Sequence, residues 1–215
     1  MHRSSLTLAA VALAALPPAV HAAPVTLTFE AEAVVASGVA PGGKIAWFSV
    51  AREAHPYVSR VVRRETVLTD DDGDGAVRFE LEGPVPVESV WMAVDLADGS
   101  LAVAAPEGTS FRELPFDPRV LRQEAPGIVR QLRDGRVYLE AFLVRPGAGA
   151  WGTTLGDGGE TDDDATVDGA VQASLAALRP VGDTGAASPD HLAPGDVVAL
   201  VDPNLQVYFA ARFTR

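Results

Sequence analysis

Thr69-Asp70-Asp71-Asp72-Gly73-Asp74-Gly75-Ala76-Val77 is an acidic stretch set between two runs of strand character. Upstream, residues 57–68 mix Val58, Val61, Val62, Val67 and Leu68 with Arg60, Arg63 and Arg64. Downstream, Val77, Phe79 and Leu81 alternate with polar residues, the period of a half-buried strand. Asp-Gly steps supply the positive φ values that tight connections need, so the stretch is expected to form a hairpin loop. A second version follows at Thr161-Asp162-Asp163-Asp164 and, three residues on, Asp168-Gly169-Ala170-Val171.

Outward from the first loop, alternation at Val25, Leu27, Phe29, Ala31, Ala33 and Val35 predicts one strand, ended by Gly38 and Pro41-Gly42-Gly43. A further strand is expected over 44–51 with Trp47 and Phe48, then a break at His55-Pro56. Beyond Gly83-Pro84-Val85-Pro86, residues 89–95 carry Trp91-Met92-Ala93-Val94, and Asp98-Gly99 turns the chain into 101–105.

The second half repeats this order. Pro146-Gly147 is matched to Pro41-Gly42, Trp151 to Trp47, residues 197–202 to 90–95, and 207–211 to 101–105. On that alignment the second copy lacks the arginine-bearing strand. Pro106, Pro115, Pro118 and Pro126 interrupt the stretch between the halves, and Pro cannot donate to a sheet ladder. The expected organisation is therefore a leader over 1–22, a β-sandwich unit over 23–105, a Pro-rich linker over 106–127 with a helical turn near 119–124, and a second unit over 128–215. Short strands, frequent turn signals and scarce helical periodicity predict an all-β protein of two tandem immunoglobulin-like sandwiches related by internal duplication.

Met1-His2-Arg3, the apolar run 6–16 and Val20-His21-Ala22 have the form of a secretion signal cleaved after Ala22. The apolar run is too short for a membrane-spanning anchor. With no cysteine among 215 residues, disulfides and a lipid-modified N-terminus are excluded. A formal net charge of −12 argues against nucleic acid and anionic membrane as partners. The expectation is an exported bacterial protein, periplasmic or extracellular, without membrane insertion, whose partner is another protein or a neutral polysaccharide.

The first unit, with Gly38-Val39-Ala40-Pro41-Gly42-Gly43, Thr69-Asp70-Asp71-Asp72-Gly73 and Val77-Arg78-Phe79-Glu80-Leu81, resembles the immunoglobulin-like modules of exported bacterial proteins, and in particular the carboxypeptidase-regulatory-like group. There a Thr-Asp-x-x-Gly turn leads into an alternating strand. The group's following Gly-x-Tyr strand is replaced here by Ser89-Val90-Trp91. The resemblance implies a β-sandwich with a surface, transport or adhesion role and transfers no catalytic residue.

Asp70, Asp72 and Asp74 followed by Gly75 have the spacing of a calcium loop, with the Ala76 carbonyl as a further ligand. Leu81 occupies the place of the usual bidentate Glu. The plainer reading is a solvated hairpin whose acids favour the turn. Asp183-Thr184-Gly185-Ala186 resembles the active-site turn of aspartic proteases, making Asp183 the catalytic carboxylate of an alternative hydrolase reading, although no second Asp-Thr-Gly occurs. His55, His191, Asp190 and Ser188 stand in no nucleophile motif and are expected in loops. Trp47, Trp91 and Trp151 could form a sugar platform, but their apolar neighbours predict core packing.

Overall fold

A computed structural model of the chain describes residues 24–54, 59–113, 128–132, 139–155, 170–182, 187–204 and 206–214. The proposed leader, His55, the linker from 114 onward, the acidic repeat from 161 to 169 and Asp183 lie outside the described residues.

The first half contains β1 (Thr26–Phe29), β2 (Ala33–Ser37), β3 (Lys44–Ala54), β4 (Ser59–Thr69), β5 (Ala76–Glu80), β6 (Ser89–Asp95) and β7 (Leu101–Ala104). β8 (Arg112–Glu113) follows. The second half contains β9 (Ile128–Leu132), β10 (Leu139–Arg145), β11 (Gly149–Leu155), β12 (Ala170–Ser174), a 3₁₀ turn over Leu175–Ala177, β13 (Arg179–Pro180), β14 (Val197–Asp202) and β15 (Val207–Arg212). The described chain is thus all-β. Its sheets run β1-β2-β5, β4-β3-β6-β7, β13-β11-β10-β14-β15-β8 and β12-β9.

Period-two alternation decides how these sheets stack. Along β3, Ile45 and Trp47 join Val34, Ala36 and Val77 in a core shared with the β1-β2-β5 sheet. Ala46, Phe48 and Val50 point the other way, into a second core with Phe142, Val144, Val197, Ala199 and Val201. All seven residues of β6 are buried because it lies between these two cores. The four-stranded sheet is therefore the middle layer, and Phe48 meets Phe142 across its second face with ring centroids 4.4 Å apart. A third cluster on the far side of the six-stranded sheet holds Ala141, Leu143, Trp151, Leu178 and Leu200.

β11-β10-β14-β15 repeats the order β4-β3-β6-β7. Phe48 pairs with Met92 as Phe142 pairs with Ala199. Asp95 and Asp202, the last residues of β6 and β14, each accept a hydrogen bond from the N–H two residues on, at 2.7 Å from Ala97 and 2.9 Å from Asn204. Four residues past each aspartate the backbone has positive φ, 73° at Gly99 and 53° at Gln206.

Three sequence expectations change. The alternating run 25–35 is two strands, because the Glu30 N–H donates to the Ala33 carbonyl at 2.9 Å and closes a turn. That turn shifts the phase, burying Val34 and Ala36 while Val35 is half-buried. No arginine-strand counterpart is missing from the second half: β11 flanks β10 as β4 flanks β3, so Trp151 stands where β4 stands and not where Trp47 does. Finally, residues 106–113 are built into the fold. Phe111 is buried in the core between the halves, and Arg112 and Glu113 pair in parallel with Val207 and Tyr208.

Candidate functional site

The acidic loop joins β4 to β5 at the edge between the first two layers. Asp70 is buried, and its carboxylate organises the loop: Oδ1 accepts the Gly73 N–H at 3.0 Å and Oδ2 the Gly75 N–H at 3.2 Å. Gly73 and Gly75 have φ of 74° and 83°, which side chains with a Cβ rarely adopt, so both glycines are needed to wrap the backbone round this carboxylate. The Gly75 carbonyl in turn accepts from the N–H groups of Gly38 and Val39 at 3.0 and 3.1 Å, tying the loop to the β2–β3 connection.

Asp72 and Asp74 are exposed and each cap a nearby N–H, Asp72 that of Asp74 at 3.3 Å and Asp74 that of Ala76 at 2.8 Å. One carboxylate oxygen from each of Asp70, Asp72 and Asp74 falls within 4.8 Å of the others. Ala76 opens β5 opposite Ser37. Leu81 packs against the first core, so the place of the twelfth calcium ligand is given to packing. Arg78 lines the same open depression as Asp72 and Asp74, but is held by Glu30 and Glu80. Hydrogen bonds to those two carboxylates raise its pKa above the ordinary value.

The other sequence candidates do not converge. The Ser188 hydroxyl donates to the Leu178 carbonyl at 2.7 Å. Asp190 and His191 are exposed and bond to each other, which holds the Asp190 carboxyl below its usual pKa. Trp47, Trp91 and Trp151 are 1%, 0% and 2% exposed, so none forms a surface platform.

Two ionic clusters escaped the sequence reading. Glu140 is fully buried between the halves, accepting from the Thr154 hydroxyl at 2.7 Å and from Arg63 at 3.4 Å, while Arg63 also pairs with Glu65 and lies over the Phe142 ring. Its signal was present, since Glu140 shares the inward phase of Phe142 and Val144, and Arg63 and Glu65 that of Val61 and Val67. Buried Asp196 receives Arg145 at 2.9 and 2.8 Å and the Ala193 N–H at 2.7 Å, which pins the loop before β14. The bond to Asp196 raises the Arg145 pKa. Both clusters fasten one segment to another and leave no carboxylate poised over an open cleft.

No protein-family model matches the chain, and no curated protein matches it. No helix among the described residues is long and apolar enough to cross a membrane.

Proposed function

We propose that the chain is a non-enzymatic, exported accessory protein with a binding or structural role, built from one β unit used twice. The observation that carries the reading is the shared pairing scheme: the same strand order, the same Asp-capped turn after β6 and β14, and Phe48 against Phe142 at corresponding positions. The leader-like residues 1–22 support export. Recovery of the chain from the periplasm or medium of a bacterial host, beginning at Ala23 and inert toward protein and glycan substrates, is the expected result; turnover of either substrate, or retention in the cytoplasm, would refute it.

Within this reading the acidic loop takes calcium weakly. Three clustered carboxylates repel one another, and a cation relieves that repulsion. Asp70 shapes the loop through backbone N–H groups, while exposed Asp72 is free to turn an oxygen toward an ion. Without a bidentate twelfth ligand the expected dissociation constant is about 10⁻⁴–10⁻³ M. Millimolar calcium should raise Tm by mass action, and Asp72→Ala should abolish the rise without unfolding the protein. Calorimetry that records no heat of binding would leave the loop a turn only.

A further inference from the structure

We propose that Arg63, Glu65 and Glu140 select the partner of each half: they admit the first half against the second and bar like halves of two chains from pairing. The ladder registers give positions in one half a counterpart in the other. Phe48 corresponds to Phe142 and Ala46 to Glu140, while Arg63, Glu65 and Val67 on β4 correspond to Ala150, Gly152 and Thr154 on β11. Phe48 touches Phe142, with ring centroids 4.4 Å apart, and Glu65 lies on Gly152, where an added Cβ would collide with Glu65 and Arg63. Each of these residues thus meets its own counterpart. Such contacts mark a pseudo-twofold axis between the two sheets, the geometry of a symmetric dimer drawn into one chain.

Off the axis, charge breaks the symmetry. On one side Arg63 donates to Glu140 at 3.4 Å and to Thr154 Oγ1 at 3.0 Å, and the Thr154 hydroxyl donates to Glu140 at 2.7 Å. Exchanging the halves turns these positions into Ala150, Ala46 and Val67, all of which belong to or pack on the apolar core between the halves. One side of the axis is therefore ionic and the other hydrocarbon.

The apolar core alone cannot tell the halves apart, since Phe48 and Val50 have Phe142 and Val144 as counterparts. The ionic side can. Were the first halves of two chains to pair in this geometry, Glu65 would face Glu65, and Arg63 would face Val67 in place of Thr154 and Glu140. Two second halves would bury Glu140 twice, with no guanidinium from β4 to meet it, and Glu140 is fully buried in the native packing. Only unlike halves give Glu65 a glycine to lie on and Glu140 a cation. A buried ion pair adds little net stability, whereas breaking one is costly, so this pair discriminates between partners more than it stabilises the right one.

This selection rests on the reading of one β unit used twice. Because the chain has no cysteine, a thiol at position 65, on the axis, reports which half it meets. In Glu65→Cys the thiol meets its own copy only when the first halves of two chains pair; within one chain, or in a swapped dimer, it meets Gly152. The full chain carrying Glu65→Cys, in which Arg63 and Glu140 remain to discriminate, is compared with one that adds Arg63→Ala and Glu140→Ala, the residue type at both counterpart positions. Both are refolded with reduced and oxidised glutathione at about 0.1–1 mM chain, where pairing between chains competes with tethered halves. The chain with three substitutions should give severalfold more disulfide-linked dimer. Without Glu65→Cys, Arg63→Ala alone should lower Tm more than Arg63→Ala with Glu140→Ala, because the single change leaves a buried carboxylate without its guanidinium. Should the alanine pair fail to fold, Arg63→Leu with Glu140→Met conserves volume and keeps both comparisons. Equal cross-linking in the two chains, or a lower Tm for the paired change than for the single one, would overturn the proposal. That result with normal export would leave the accessory-protein reading standing, whereas cytoplasmic retention would remove that reading whatever the cross-linking.

Discussion

The two halves of this molecule share a strand order and differ in what they place behind it. In the second half Leu143 and Trp151 join an apolar core cluster; in the first, buried Ser49 and half-buried Arg64 occupy those positions, and Arg64 borders an open cavity. Conversely, the second half inserts the buried charge of Glu140 where the first has Ala46, by the pairings with Val201 and Val94. Polar residues inside a β scaffold are thus not dictated by topology. In one half they clasp the two sheets together, and in the other Arg64 borders an open cavity while Ser49 is sealed in the core.

The strongest way to break this comparison is to cut the core that both halves share. Phe48→Ala and Phe142→Ala should each cost about 3–5 kcal/mol. Because the rings touch, the double variant should be non-additive by about 0.5–3 kcal/mol, and denaturation should remain one transition. Additive losses, or two separate transitions, would mean that the halves are independent domains.

The paired turns offer a smaller test. Gly99→Ala places a Cβ at positive φ and 2.7 Å from Pro146 Cγ, so a loss of about 1–3 kcal/mol is expected in urea denaturation. Gln206→Gly relieves the same backbone strain but loses the 2.8 Å bond from Gln206 to Glu88 and adds unfolded-state freedom, so its net effect should stay below about 1 kcal/mol. Equal effects at the two sites would deny that the turns are alike.

The smallest expected effect concerns the seam between β8 and β15. Burial, and then the charge of Glu113, raise the Tyr208 pKa. A group whose folded pKa is raised contributes stability that is complete below the unfolded value, about 10 for a phenol, and is lost as pH climbs through the folded one. Stability should therefore decline above pH ~10, and Glu113→Gln should lower the Tyr208 midpoint in an ultraviolet titration. An unchanged midpoint would separate the two side chains.

Strand identities were legible where a short apolar run stood between turn signals: β6 and β14 have the limits read from sequence, and all three tryptophans lie in cores as their neighbours implied. Phase was harder. A turn as small as the one after Phe29 leaves the period-two pattern nearly intact while reversing which residues face inward. The match of Trp151 to Trp47 misled because a Pro-Gly pair precedes β11 as well as β3, and a turn signal names a bend without naming the strands it joins. At the acidic loop, the three carboxylates come together as their spacing suggested, but the burial of Asp70 depends on the Gly73 and Gly75 N–H groups that only the folded loop presents. Unpartnered buried donors such as Ser49 Oγ were least visible. Ser49 lies at an inward phase between Trp47 and Ala51, yet a serine in a strand says nothing of whether its hydroxyl finds a partner.

Phe111 and β8 carry a consequence for the time at which the molecule can finish folding. The segment leaving the first half lays Phe111 between the halves and borrows its ladder partners from Val207 and Tyr208, close to the end of the chain. Contacts so distant in sequence form late, since the loop between them must close first. During synthesis the face of the four-stranded sheet that carries Phe48, Val50 and Met92 stays open until the strands of the second half arrive. For that interval the half-made protein presents a bare apolar sheet, and its yield depends on how quickly the C-terminal strands follow.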